Sequence, residues 1–412
     1  MNTTKPKAIV LGGTTPHIAL IENLRKRGYY VILVDYSSNP PAKIYADEHI
    51  KESTLNYELV HSIAEKEKVS LVISTCIDQA NATACYVAEK LNLPKPYSFQ
   101  TALNVTHKGL MKSIIVKNGI PTSPFFIVNN TENIPHIELN FPVVVKPVDS
   151  NGSKGVKKAE NINELNLFLK DAISISRTKN AIIEKYIEGK EIQIDCFAYN
   201  KTSEIILIRE KQKLSNKKGD VFQSSGSIIP ANISSQAYKN IQQIATNIAL
   251  AFKLNNTPFF IQAFVNGDTV NVIEFAPRVG GGLSYSIIKK ITGFDIVDAT
   301  IDSFLGNPVF PKIELSEYYY STNIIYMKPG VFSHFIGYNE LIEEDIIDEF
   351  YIQKPKGTII DNEMASHNRI GAFLIKARTL RELSNKVAMA VSRLEVLDTS
   401  GNRVMRKELF NC

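Results

Sequence analysis

The chain opens with an alternation that admits few folds. A short apolar run, Lys7 to Leu11 (KAIVL), leads into Gly12 and Gly13. An amphipathic stretch follows from about His17 to Arg27, Gly28 ends it, and YYVILVD runs from Tyr29 to Asp35. Strand, helix and strand at this spacing make a βαβ unit. The helical crossover returns the second strand parallel to the first, so the unit commits the chain to a parallel sheet. A second unit follows: a helix around Leu59 to Glu67, the strand LVIST (Leu71 to Thr75) and a helix from Ala80 to Leu91. Residues 1–96 therefore read as a small doubly wound α/β domain, with Pro94 and Pro96 marking its exit.

Such sheets place ligands beyond the carboxyl ends of their strands. Thr15, Thr75, Asp78 and Gln79 fall at that edge and are substrate-contact candidates. The turn GGTTPH is not GxGxxG, which argues against a nicotinamide dinucleotide.

At 412 residues the chain is long enough for more than one domain. We expect three: 1–96; 97–305, with a small lid lobe at about 120–190; and a C-terminal α+β closing domain, 306–412. The net charge of +5 is spread along the chain, and its densest basic cluster, Lys211 to Lys218, suits a solvated loop better than a nucleic-acid arm. No apolar run approaches the roughly 18 residues of a membrane span. The four cysteines, Cys76, Cys85, Cys196 and Cys412, show no CxxC spacing. With a first strand directly after the N-terminus, these features suit a reduced, cytoplasmic protein without nucleic-acid or membrane partners.

Past the prolines, a helix from about Lys108 to Asn118 stops at Gly119. The run FPVVVKPVDSNGSKGV (Phe141 to Val156) is a β-rich strand ending in Lys146, followed by a loop of small residues: Ser150, Gly152, Ser153 and Gly155. Small residues let backbone N–H groups approach an anion, and the strand-end lysine adds a fixed charge. The lysine precedes the glycines, so this is not the GxxxxGK[ST] P-loop. A helix near Ile162 to Ile175 and a strand Ala181 to Tyr186 complete the lobe. Alternating strands follow at Glu191 to Tyr199 and Glu204 to Glu210, then a helix at about Ser235 to Phe252. Phe259 to Val265 and Thr269 to Ala276, joined by Asn266–Gly267–Asp268, carry a strong hairpin signal. The last hundred residues hold short strands and a helix from about Leu380 to Leu394.

Gln262 and Glu274 lie on the two strands of that hairpin. If register and pleat permit, they share a face and can hold a hard cation through oxygen. Arg278 comes just after, followed by Gly280, Gly281 and Gly282. An arginine beside such a cation suits a transferring phosphoryl group. The segment from Ala181 passes Glu184, Lys185, Tyr186 and Ile187 and turns at Gly189 before Glu191. A strand edge there can pair a base through its backbone.

Taken in order, Lys108, Lys146, the glycine loop, Glu184 to Glu191, Gln262, Glu274 and Arg278 resemble the ATP-grasp superfamily, over residues 1 to about 300. HKGLMKSIIVKNGIPTSP resembles that family's lysine helix and IEFAPRVGGG its metal-binding strand. The resemblance implies an ATP-grasp fold: an N-terminal pre-ATP-grasp parallel-sheet domain, a small lid lobe and an antiparallel-sheet C-terminal region. It implies that Lys108 and Lys146 contact ATP phosphates, and that Ser150, Gly152, Ser153 and Gly155 close over them. Glu184, Lys185, Tyr186 and Ile187 would bind adenine, and Glu191 the ribose. Gln262 and Glu274 would hold Mg2+, or Mn2+ in its place, while Arg278 and Lys146 serve catalysis.

Within the superfamily the chain is similar to carboxylate–amine (L-amino-acid) ligases and to relatives of the carbamoyl-phosphate synthase large subunit. The implied activity is ADP-forming ligation of a small carboxylate, best an amino acid, to an amine through an acyl phosphate. Gly281 joins Thr15, Thr75 and Asp78 as a substrate contact, and a homodimer is the family's habit. Two departures stand out: the family's third metal ligand, an asparagine, is here Ala276, and its first, usually acidic, is Gln262. A purine-biosynthesis-like carboxylase or formyltransferase of the same fold, or a catalytically weak nucleotide-binding protein, remain as alternatives.

Overall fold

The fold is described from a computed structural model over residues 5–130, 140–150, 152–214, 223–363 and 365–410. Two compact units are each discontinuous in sequence. The first takes residues 1–122, 193–207 and 233–315; the second takes 123–192, 208–232 and 316–412. The second unit begins close to the expected lid lobe. Division into 1–96, 97–305 and 306–412 would group the same elements differently.

In the first unit, β1 (Lys7–Leu11), α1 (Thr15–Lys26), β2 (Tyr30–Val34), β3 (Glu48–Ile50), α2 (Tyr57–Glu67), β4 (Leu71–Ile73) and α3 (Asp78–Lys90) follow one another. The strands form a parallel sheet in the order β3-β2-β1-β4. Ala8 to Leu11 and Val31 to Val34 are fully buried, as expected of parallel strands covered on both faces. Leu20, Ile21 and Leu24 of α1 share their core with Val297, Ile301 and Phe304 from later in the chain. Because β2 and β4 lie on opposite sides of β1, the loops after β1 and β4 meet at a topological switch point.

α4 (Phe99–Thr106) and α5 (Lys108–Lys117) follow. The His107 ring caps α5 by accepting from the Leu110 N–H. This places Lys108 at the first position of the helix.

The lobe at the start of the second unit contains β5 (Phe125–Val128), β6 (Val143–Pro147), β7 (Lys157–Ala159), α6 (Ile162–Ile175) and β8 (Ala181–Lys185), with strand order β5-β8-β6-β7. Alternation decides its faces. Val143, Val145, Ala159, Ala181 and Ile183 pack on Leu165, Leu169 and Ala172 of α6. Lys146, Lys158 and Glu184 therefore project from the other face.

β9 (Lys190–Tyr199) and β10 (Thr202–Lys213) each run from one unit into the other. They are followed by β11 (Ser224–Ile229), α7 (Ser235–Ala251), β12 (Thr257–Asn266) and β13 (Thr269–Ala276). The first unit's antiparallel order is β13-β12-β9-β10. The hairpin expected at Asn266 is present, with Asn266 opposite Thr269. α8 (Ser284–Thr292) and α9 (Ile296–Leu305) complete this unit.

The C-terminal stretch forms β14 (Tyr319–Ile325), β15 (Gly330–Ile336), α10 (Tyr338–Glu343), β16 (Glu349–Ile352), β17 (Ile359–Ile360), β18 (Gly371–Ala377), α11 (Leu380–Arg393) and β19 (Glu395–Asp398). Part of it extends an existing sheet, in the order β10-β11-β14-β18-β16, because β14 pairs with the open edge of β11. The remainder forms the sheet β17-β15-β19. Among the described residues no helix is long and apolar enough to cross a membrane.

Candidate functional site

In the first unit, Gln262 and Glu274 are direct cross-strand partners, so their side chains share a face. The register shifts immediately afterwards, between Gln262 and Ala263. Such a bulge re-aims neighbouring side chains and often adjoins a site. Lys108 Nζ lies 3.6 Å from Glu274 Oε2. The structure thus brings together an oxygen-donor pair and a cation from three elements. Ala276 is buried opposite Phe260.

Arg278 is held by Asp78, the first residue of α3. Its Nε donates to Asp78 Oδ1 at 2.5 Å and its Nη2 to Asp78 Oδ2 at 2.7 Å. Its Nη1 donates to the Val279 carbonyl at 2.9 Å, and its Cζ sits 5.0 Å from the Phe260 ring centroid. Burial disfavours the guanidinium charge, but the Asp78 carboxylate more than offsets this and raises its pKa.

Around the switch point, Thr15 is the first residue of α1. Thr75 Oγ1 is buried with no hydrogen-bond partner among the described residues. The loop between β4 and α3 is fixed by Asn81, whose Nδ2 donates to the carbonyls of Thr75 and Ile77. Thr14 Oγ1 lies 2.9 Å from His17 Nδ1 and 3.5 Å from Cys76 Sγ. Burial lowers the His17 pKa to about 4, leaving the ring neutral near pH 7. Asp35, where a ribose-binding carboxylate would sit in a dinucleotide fold, instead accepts from the N–H groups of Gly13 and Ser37. Gly281 is exposed, with nothing near its Cα substituent position.

In the second unit, Lys146 and Glu184 form a buried pair, Nζ to Oε1 2.7 Å. Register explains the contact. Lys146 lies opposite Ile182 on β8, so Glu184, two residues on, is its diagonal neighbour on the same face. Part of the expected adenine-pairing edge is already used. The Lys185 N–H donates to the Pro124 carbonyl and the Tyr186 N–H to Pro142. Ser123 Oγ donates to the Lys185 carbonyl, which retains a second lone pair. Lys158 Nζ stands 4.3 Å from the Tyr186 ring centroid.

Glu191 lies between two lysines, at 3.1 Å from Lys211 Nζ and 2.8 Å from Lys213 Nζ. Burial works to raise its pKa, but Lys211 and then Lys213 hold it below the ordinary value. The basic cluster is therefore partly a paired strand; residues 215–222 lie outside the described residues. In the glycine loop, Ser150 Oγ donates to the Lys154 carbonyl at 2.8 Å. Gly152 has φ +63°, and a Cβ there would sit 2.7 Å from Ser366 Oγ. Gln223 Nε2 donates to the Gly152 carbonyl at 3.0 Å. Asn151 lies outside the described residues.

Sequence reasoning missed Lys158, Lys211, Lys213 and Gln223 as neighbours of these candidates. The alternation that sends Lys146 and Glu184 to one face would have found Lys158. The others depend on pairings between strands.

The ATP-grasp domain family matches residues 139–286. The formate-dependent phosphoribosylglycinamide formyltransferase of Haemophilus ducreyi is 24% identical over 401 residues, covering 95% of this chain and 96% of that protein. The C-terminal section of the carbamoyl phosphate synthase large chain of Aquifex aeolicus is 22% identical over 326 residues, covering 76% of this chain but 59% of that protein. The crystal structure of an L-amino acid ligase from Bacillus licheniformis matches with a TM-score of 0.80 at 21% identity, covering 96% of this chain and 100% of that one. The parallel sheet, the antiparallel strands and the domain match agree: this chain carries an ATP-grasp domain over residues 139–286 and has the ATP-grasp fold.

Proposed function

We propose that this protein is an ATP-dependent, ADP-forming carboxylate–amine ligase working through an acyl phosphate on an amino acid or similar small carboxylate. The observation that carries this reading is the direct pairing of Gln262 with Glu274, with Lys108 3.6 Å from Glu274. ATP and Mg2+ are used by this family, and the residues present fit them. A carboxylate and a carboxamide oxygen on one face suit a hard cation, whose remaining positions phosphate and water can fill. Lys146, held in place by Glu184 at 2.7 Å, is the cation proposed to meet the phosphates, with the loop of small residues at Ser150 to Gly155 beside it in sequence. When bound, Mg2+ neutralises charge on the phosphates.

A carboxylate does not acylate an amine directly, because it would have to expel oxide or hydroxide. In the proposed reaction a carboxylate oxygen attacks the γ-phosphorus, the bond to the β-phosphate oxygen breaks and ADP leaves. The amine nitrogen then attacks the carbonyl carbon, phosphate departs and the nitrogen loses a proton. Arg278 is suited to hold the reacting oxyanion. Lys146 favours the triphosphate, and the glycine loop excludes water that would hydrolyse the acyl phosphate. Thr15, Thr75 and Gly281 are proposed to meet the substrate. Cys76, Cys85 and Cys196 are free thiols, which suits a reduced cytoplasmic setting.

The test is ADP release from MgATP with a matrix of amino acids as carboxylates and as amines. Release that requires both partners, with an amide product by mass spectrometry, supports the reading. ATP binding without release from any pair would overturn it. A second arm supplies formate or bicarbonate with a phosphoribosyl amine. It is warranted because the formyltransferase alignment covers nearly all of both chains.

A further inference from the structure

Asp78 and Arg278 are 200 residues apart in sequence, and their contact has a specific geometry. A guanidinium has five N–H bonds. Asp78 takes one from Nε and one from Nη2, and the Val279 carbonyl takes one from Nη1. The two that remain belong one to Nη1 and one to Nη2. The side edge of the guanidinium is occupied, and the Phe260 ring stands against its plane. Asp78 is itself fixed as the first residue of α3, after a loop stapled by Asn81.

We propose that Asp78 is a positioning residue. It grips Arg278 side-on, so that the remaining Nη1 and Nη2 hydrogens are presented together to a carboxylate or phosphoryl oxyanion of the substrate. This rests on the proposed ligase reading and deepens it: Asp78 does not contact the amine or carboxylate itself, but sets the angle of the group that does. A charged, side-on partner suits this task. It fixes the direction in which the planar guanidinium points, while one N–H on Nη1 and one on Nη2 remain for recognition. Placement matters steeply, since a displacement of about 1 Å at a reacting group can lower a rate by roughly 100-fold.

The experiment compares wild type, Asp78→Asn, Asp78→Glu and Arg278→Lys. ADP release is measured with the best carboxylate–amine pair, and ATP affinity with a fluorescent ATP analogue. Asp78→Asn should lower kcat by roughly 10- to 100-fold with KM for ATP within about twofold, and Asp78→Glu should recover much of the loss. The Asp78→Asn/Arg278→Lys double variant should be no worse than Arg278→Lys alone. Wild-type kcat in Asp78→Asn, with only the melting temperature lowered, would mean a merely structural ion pair and would overturn the proposal.

A second measurement separates this from the ligase reading. Arginine side-chain NMR, with the Arg278 signal assigned by its loss in Arg278→Lys, should show an exchange-protected Nε–H in wild type and not in Asp78→Asn. Inorganic phosphate should shift the Nη signals while leaving Nε protected. If wild type releases no ADP with any pair, the ligase reading fails while this arm still decides the grip. An unprotected Nε–H, or phosphate that displaces Asp78 from it, overturns the grip.

Discussion

Lys146 and Glu184 are 5% and 6% exposed and 2.7 Å apart, so each is the other's compensation for leaving water. Removing one partner of such a pair costs about 3–5 kcal/mol, because a buried charge is left uncompensated. Lys146→Met should therefore lower stability in urea denaturation by about that amount and abolish ADP release. Adding Glu184→Gln should restore most of the stability and none of the turnover. A double variant no more stable than Lys146→Met would show that the two charges are not coupled. Glu274 is different, with its side chain 33% exposed. Glu274→Gln should abolish turnover while stability changes by only about 0.5 kcal/mol. His17 gives a pH signature. Its folded pKa is about 4 against 6.5 in the unfolded chain, so between these values the unfolded state binds the extra proton. Stability should fall as pH drops through that window, by about 3 kcal/mol in all. His17→Asn should remove this part of the slope; an unchanged slope would mean that the ring is not held neutral.

At the scale of elements, legibility followed periodicity. The helix Ile162–Ile175 and the hairpin strand Thr269–Ala276 were read to the residue, because one shows a clear apolar stripe and the other ends in a recognisable turn. β3 was missed because three residues carry no period. α9 was missed because Ile296, Val297, Ala299, Thr300, Ile301, Ser303 and Phe304 are all buried, leaving little polar face to mark it. The C-terminal strands were read as strands, but not that they extend the sheet at β11. One glycine makes that pairing possible. A Cβ at Gly226 would sit 1.9 Å from the Thr322 carbonyl oxygen of β14. Gly226→Ala should push the strands apart and cost about 3 kcal/mol or more, read as a lower urea midpoint. A midpoint near wild type would mean that the strands separate at little cost.

At the scale of the molecule, ligand linkage tests the proposed ATP site without any assumption about the carboxylate. A ligand at 100 times its Kd stabilises the folded state by about 2.7 kcal/mol. MgATP at such excess should raise the melting temperature by several degrees, and EDTA should remove much of that gain if Glu274 and Gln262 hold the metal with the phosphates. Equal shifts with and without EDTA would mean that the metal contributes nothing to nucleotide binding.

By itself the sequence determined the parallel sheet, the lobe with its lysine and glycine loop, and the hairpin carrying Gln262 and Glu274. These rest on local periods and turn residues, which act over a few positions. The tertiary structure alone decided who faces whom. It put Asp78 on Arg278 across 200 residues, Glu184 on Lys146 across two strands, and Lys211 and Lys213 on Glu191. Charge pairing depends on distances of a few ångströms set by strand register and chain crossing, and no local pattern encodes those.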